Sequence, residues 1–149
     1  MSDEIDSRSI YFPVLGVPEP QGSNRAWVRG GRAFVTSSNK NLNGWRQSVR
    51  NEAQHAVEQH TWALARRKDE AIELSIDFDF LKPASKSKKV TQMTTRPDLD
   101  KLVRAVGDAL TGILYEDDSQ VVLVRARKQY ALSTGARIEV LARPVREVG

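Results

Sequence analysis

From Ile72 to Phe80 the chain alternates strictly, with Ile72, Leu74, Ile76, Phe78 and Phe80 interleaved by Glu73, Ser75, Asp77 and Asp79. A period of two puts the apolar set on one face of an extended strand, so the segment requires a sheet with one face covered. Two amphipathic helices are available to cover it. Between about Asn41 and His60, the residues Leu42, Trp45, Val49, Ala53, Ala56 and Val57 recur at spacings of three and four, which predicts a helix with a polar opposite face carrying Arg46, Arg50, Asn51 and Gln54. From about Asp98 to Thr111, Leu99, Leu102, Val103, Val106, Ala109 and Leu110 form a second stripe that continues to Ile113, with Gly112 as a natural stop.

The remaining strands follow from composition and turns. Residues 9 to 17 are rich in β-formers, with Pro13 placing the strand at an edge or bulge and Pro18 and Pro20 ending it. The Gly30-Gly31 pair between two apolar runs, 27 to 35, predicts a two-residue hairpin. Strands are also expected from Val121 to Tyr130 and from Ala136 to Arg143, with Ser133-Thr134-Gly135 between them as a hairpin turn. The expected fold is therefore α/β of the mixed α+β kind: one domain over residues 1 to 149, a mixed sheet of about five or six strands, two main helices, and a flexible N-terminus over residues 1 to 8.

With no cysteine there is no disulfide, thiolate site or cysteine nucleophile. His55 and His60, five apart, point about 140° away from each other on a helix, so they make no metal pair. A metal held here would be a hard cation on carboxylate oxygens, magnesium or manganese. No apolar run is long enough to span a membrane, and the acidic start Met1-Ser2-Asp3-Glu4 lacks a secretory pattern, so a cytoplasmic protein is expected. The net charge of +4 and pI near 9.6 suit an anionic partner. Basic residues concentrate at Lys82, Lys86, Lys88, Lys89, Arg96, Lys101 and Arg104, interrupted only by Asp98 and Asp100. Many of them lie in the polar, aperiodic loop 82 to 95, a length that usually signals function or mobility.

On the second helix Asp100, Arg104 and Asp108 are spaced by four and share one stripe away from the apolar face. Asp98 follows Pro97 at the helix start, where an aspartate commonly caps exposed amides; with Asp100 two residues on, the two carboxylates can instead converge on one cation. Asp117 and Asp118 follow the helix in Tyr115-Glu116-Asp117-Asp118-Ser119-Gln120, either as surface acids of a turn or as further ligands. Their approach to Asp98 does not follow from the sequence.

The run Arg96-Pro-Asp-Leu-Asp-Lys-Leu-Val-Arg-Ala-Val-Gly-Asp-Ala-Leu110, followed by Gly112-Ile-Leu-Tyr-Glu-Asp-Asp-Ser-Gln-Val-Val122, closely resembles the signature of the RusA family of Holliday junction resolvases. It combines Asp-x-Asp, a basic residue four positions later, Asp-Ala-Leu and Asp-Asp-x-Gln before a strand. Pro18-Glu-Pro-Gln-Gly-Ser-Asn-Arg25 resembles the family's proline-rich opening, so the likeness spans most of the chain. The resemblance implies a magnesium-dependent endonuclease, a homodimer of mixed α/β fold acting on branched DNA. Asp98, Asp100 and Asp118 would be its metal-binding carboxylates, Asp117 a neighbouring acid, Asp108 a supporting residue, and Arg104 a catalytic cation. Lys86, Lys88, Lys89, Arg96 and Lys101 would hold DNA backbone. Two positions depart from the family pattern. Lys101 stands where Asn is usual and can compete with a metal or contact phosphate. Arg104 stands where Lys is usual; it can grip a phosphate with two parallel hydrogen bonds but is a poor proton carrier. The same site could serve a nuclease for flapped DNA, or persist in a protein that only binds branched DNA.

Overall fold

A computed structural model of the chain describes residues 8–22, 24–37, 39–60, 69–131 and 135–145. The elements are β1 (Ile10–Leu15), β2 (Asn24–Arg29), β3 (Arg32–Ser37), α1 (Leu42–Gln59), β4 (Ile72–Phe80), α2 (Leu99–Leu110), β5 (Val121–Tyr130) and β6 (Arg137–Pro144). Six strands form, divided into a four-stranded mixed sheet, β1-β6-β4-β5, and the separate hairpin β2-β3. The hairpin turns at Gly30 and Gly31, with φ of 59° and 78°. Two successive positive φ values are what a tight right-twisted hairpin demands, and glycine reaches them without a Cβ penalty. Of the flexible N-terminus expected for residues 1 to 8, only Arg8 lies among the described residues.

β4 behaves as its alternation requires. Ile72, Leu74, Ile76, Phe78 and Phe80 are buried with Ile10, Phe12 and Val14 of β1 and Ile138, Val140 and Ala142 of β6, beneath the apolar faces of α1 and α2. The opposite face of the sheet is a ladder of paired charges. Glu73 accepts from Arg125 Nε at 3.0 Å and Arg143 Nε at 2.6 Å, joining β4 to both neighbours. Asp77 accepts from Arg127 at 2.9 Å and Asp79 from Gln129 at 2.8 Å, while Glu139 accepts from Arg137 and from the Tyr11 hydroxyl.

One expectation is overturned. β5 and β6 are not a hairpin: β5 runs parallel to β4 on one side, and β6 runs antiparallel to β4 on the other. Ser133 and Thr134 lie outside the described residues, but their segment must cross the end of β4 to join strands that are not neighbours. Burial explains the choice. The inward residues of β6 are fully buried and need a neighbour on each side, whereas Val122 to Arg125 of β5 are exposed and suit an edge. The parallel β4–β5 pair is reached through α2, the long crossover such pairing needs.

The chain after α2 turns at Gly112, φ 88°, and returns Tyr115 to the helix, where its hydroxyl donates to the Gly107 carbonyl at 3.0 Å. Burial pushes the Tyr115 phenol up to about 12, helped by the negative charges of Asp118 and Asp108 and opposed by a hydrogen bond with Thr111. A raised phenol favours the protonated fold, so its stabilisation is whole below pH 10 and is lost as pH climbs through about 12. Replacing Tyr115 by Phe should cost about 1 kcal/mol at neutral pH through the lost hydrogen bond. Urea titrations from pH 8 to pH 11.5 should then show a smaller alkaline loss in the variant than in the parent. Glu73 is held below the usual carboxylate range, first by the Arg143 hydrogen bond and then by Arg125, against the opposing effect of burial. That contribution is present above the ordinary value of 4.5 and disappears as pH falls through the lowered one. Glu73→Gln should lose roughly 1 to 2 kcal/mol at pH 7 in urea unfolding, with a smaller difference from the parent at pH 3.

Candidate active site

The acidic motif sits at the start of α2, where the Arg96–Pro97 peptide is cis and Asp98 is extended, with ψ 136°. Leu102, Ala105, Val106, Ala109 and Leu110 turn into the core, leaving Asp100, Lys101, Arg104 and Asp108 exposed. Asp98 occupies the cap position, yet its side chain makes no capping hydrogen bond. Its carboxylate instead lies 3.5 Å from Lys101 Nζ. Of the two roles open to Lys101, direct competition for that carboxylate is the one this geometry displays. Asp100, in the first turn where the helix dipole favours negative charge, and Arg104, one turn on, have no hydrogen bond or ion pair with any described residue.

A cleft of about 670 Å³ opens beside Asp98, lined by Val17 to Gly22 of the proline-rich loop and by Arg96 and Lys101, among others. The loop is fixed to the helix by Gln21 N donating to the Lys101 carbonyl at 2.9 Å. Asn39 steadies the loop, donating to Glu19 Oε2 at 3.1 Å and to the Pro20 carbonyl at 2.9 Å. On the other side Lys128 Nζ donates to the carbonyls of Thr95 at 2.7 Å and Pro97 at 2.9 Å. The basic loop 82 to 95 is better anchored than its composition suggests: Met93 is buried, and Lys82 Nζ reaches the Val90 carbonyl. Lys88, Lys89 and Arg96 remain exposed and Lys86 is half-buried.

Asp108 is a structural tie rather than part of a free polar stripe. Arg46 of α1 donates to it at 3.1 Å and also to Gln21. Arg50 donates to the Ala109 carbonyl at 3.0 Å, meeting one of the acceptors that a helix C-terminus leaves open. The polar face of α1, expected to be solvated surface, is thus partly spent on holding α2. The four-residue spacing of Arg46 and Arg50 was the visible signal, but their target was not.

Asp117 and Asp118 lie at the other end of α2. Asp117 Oδ1 accepts from Ser119 N at 2.9 Å and caps a 3-10 turn over Asp118–Gln120. Gln120, buried, accepts from the Glu116 and Asp117 amides and donates to the Glu70 carbonyl at 3.0 Å. Asp118 points outward, close enough to Tyr115 to perturb it, and Tyr115 is bonded to Gly107. The rise from Asp98 to the level of Gly107 is roughly 13 Å along the helix. Carboxylate oxygens suit a hard cation, and Asp98 with Asp100 offers a pair, but among the described residues no three acids or histidines are gathered around one point. Within one chain the expected trio Asp98, Asp100 and Asp118 does not form a complete metal shell.

Comparison with known proteins gives the same family from the whole length. The family model described as Endodeoxyribonuclease RusA matches residues 16–141. A Bacillus subtilis (strain 168) protein named Uncharacterized protein YqaN is 32% identical over 144 residues, 91% of this chain and 96% of its own. No helix among the described residues is long and apolar enough to cross a membrane. The chain belongs to the endodeoxyribonuclease RusA family.

Proposed function

From this membership, we propose that the protein is a magnesium-dependent endonuclease that resolves four-way DNA junctions during recombination and repair, working in the cytoplasm as a homodimer. The observation that carries the reading is the pairing of an exposed, unpartnered Asp100 with an equally exposed Arg104 one helical turn away, beside Asp98 and a cleft bordered by Arg96 and Lys101. Unpartnered opposite charges a turn apart are poor stabilisers of a surface and good binders of a cation and a phosphate. A divalent cation, when bound, supplies a water of lowered pKa and offsets charge on the phosphate being cut.

The chain's own residues then divide the remaining work. Asp98 and Asp100 offer hard oxygens at the positive end of α2. Lys101 must leave Asp98 for that carboxylate to bind a cation, and its ammonium is then free to take a DNA phosphate. Arg104 can clamp two oxygens of the scissile phosphate with its planar fork, positioning it without moving a proton. Arg96, Lys88 and Lys89, with Lys86 beside them, would hold flanking backbone, giving affinity without sequence information and a steep loss of binding with salt. A four-way junction presents two equivalent strands, which a two-fold dimer can cut together.

Cleavage of a synthetic four-way junction, a flap and a linear duplex, each with Mg²⁺ or EDTA, tests this. Wild type should cut the junction only with the metal, and Asp100→Asn should lose at least about 100-fold in rate while still binding junction DNA. Wild type that binds junctions but cuts none with any divalent cation would overturn the catalytic reading; preferential cutting of flaps would reassign the substrate. Lys101→Asn removes the ammonium beside Asp98. The Mg²⁺ concentration giving half-maximal cleavage should fall severalfold in this variant, whereas an unchanged metal requirement would show that the Asp98–Lys101 pair does not compete.

A further inference from the structure

We propose that two copies of the chain pair edge to edge through β5, and that this pairing completes each acidic site with Asp118 of the partner subunit. The proposal rests on the functional reading above and addresses what that reading leaves open, the absence of a third carboxylate near Asp98 and Asp100.

β5 is an edge strand, bonded to β4 on one side, and no described residue pairs with its other side. Along that edge Val122, Leu123 and Val124 are 61%, 40% and 43% exposed. Three consecutive apolar residues on an open edge are an invitation to another strand. Natural edges are commonly guarded by charge, but the guanidinium groups of Arg125 and Arg127 turn back onto Glu73 and Asp77 of β4.

The identity of the partner strand follows from symmetry and charge. A two-fold axis normal to the sheet keeps each face with its like, so antiparallel copies of β5 must set odd residues against odd and even against even. Centred on Arg125 or Ala126, the pairing would set Arg125 against Arg125, or Arg125 against Arg127, with arginines directly opposed. Centred on Leu123, the middle of the exposed triplet, it buries Val122 against Val124 twice and opposes no like charges. Lys128 lies five residues beyond Leu123 and Asp118 five before it. The same register therefore brings the partner subunit's Asp118 to the level of Lys128, opposite in charge.

Lys128 marks the start of α2, because its ammonium is bonded to the carbonyls of Thr95 and Pro97, next to Asp98. The acid stranded at the far end of α2 in one copy is thereby delivered to the Asp98–Asp100 end of the other. The two-fold operation performs it twice, giving two complete sites per dimer, each needing both chains.

Sedimentation and Mn²⁺ binding followed by electron paramagnetic resonance test the arrangement without relying on cleavage. Wild type should be a dimer. Val122→Lys combined with Val124→Lys, at exposed positions where folding is checked by circular dichroism, should be monomeric and bind Mn²⁺ at least tenfold more weakly. Differently tagged Asp100→Asn and Asp118→Asn chains, refolded together and purified as mixed dimers, should regain tight sites at half the wild-type number, while either variant alone has none. If each chain supplied its own trio, mixed dimers would have none, and the proposal fails. It fails equally if the double-lysine variant stays dimeric or keeps wild-type Mn²⁺ affinity, or if wild type is monomeric or binds no Mn²⁺. Failure to cut junctions alongside the half-number result would overturn the proposed reaction and leave the shared site standing.

Discussion

The site depends on a rigid helix held at both ends. At its start α2 is bonded by Gln21 to the proline-rich loop, and the carbonyls that lead into it are held by Lys128 of β5. At its end Arg46 takes Asp108, Arg50 takes the Ala109 carbonyl, and Tyr115 takes Gly107. Between these anchors Leu102, Ala105, Val106, Ala109 and Leu110 are buried at 1% exposure or less. A helix fixed in this way cannot shorten, so it sets the spacing between the acids at its two ends as firmly as a covalent frame would. It also presents Asp100 and Arg104 outward together, since residues four apart share a face.

Much of this was legible in the sequence for identifiable reasons. β4 and both helices follow from apolar periodicity, because Ile72 to Phe80 and Leu99 to Leu110 can bury their stripes in only one way. The exposed acids and Arg104 follow from the same periodicity, as the residues left over. What periodicity cannot carry is the order of strands. β5 and β6 are separated by a short segment containing Gly135 and look like a hairpin, but the decision was made by which strand could afford an open edge. Side-chain partners across the chain were equally hidden: nothing local in Arg46 or Arg50 points to residues 108 and 109.

Asp98 and Asp117 show how one residue type at similar local positions comes to serve different ends. Both stand just before a helical turn. Asp117 caps, because the 3-10 turn after it presents the Ser119 amide to its carboxylate and Gln120 completes the box from behind. Asp98 does not, because Lys101 draws its carboxylate along the helix instead. A capping carboxylate is spent on its own backbone, and one held by a flexible lysine remains available. The pair Asp117-Asp118 accordingly divides into a structural member and an outward one.

The pairing of charge on the sheet then explains where the molecule's basic excess is felt. Acids on β4 and β6 consume Arg125, Arg127, Arg137 and Arg143, so the open face of the sheet is close to neutral although it is densely charged. The lysines and Arg96 of the segment leading into α2 are not paired off in this way, apart from Lys101 with Asp98. A net charge of +4 spread evenly would steer an anion weakly. Cancelled on one face and left uncancelled around the start of α2, it directs a polyanion to the end of the helix where Asp98, Asp100 and Arg104 are exposed.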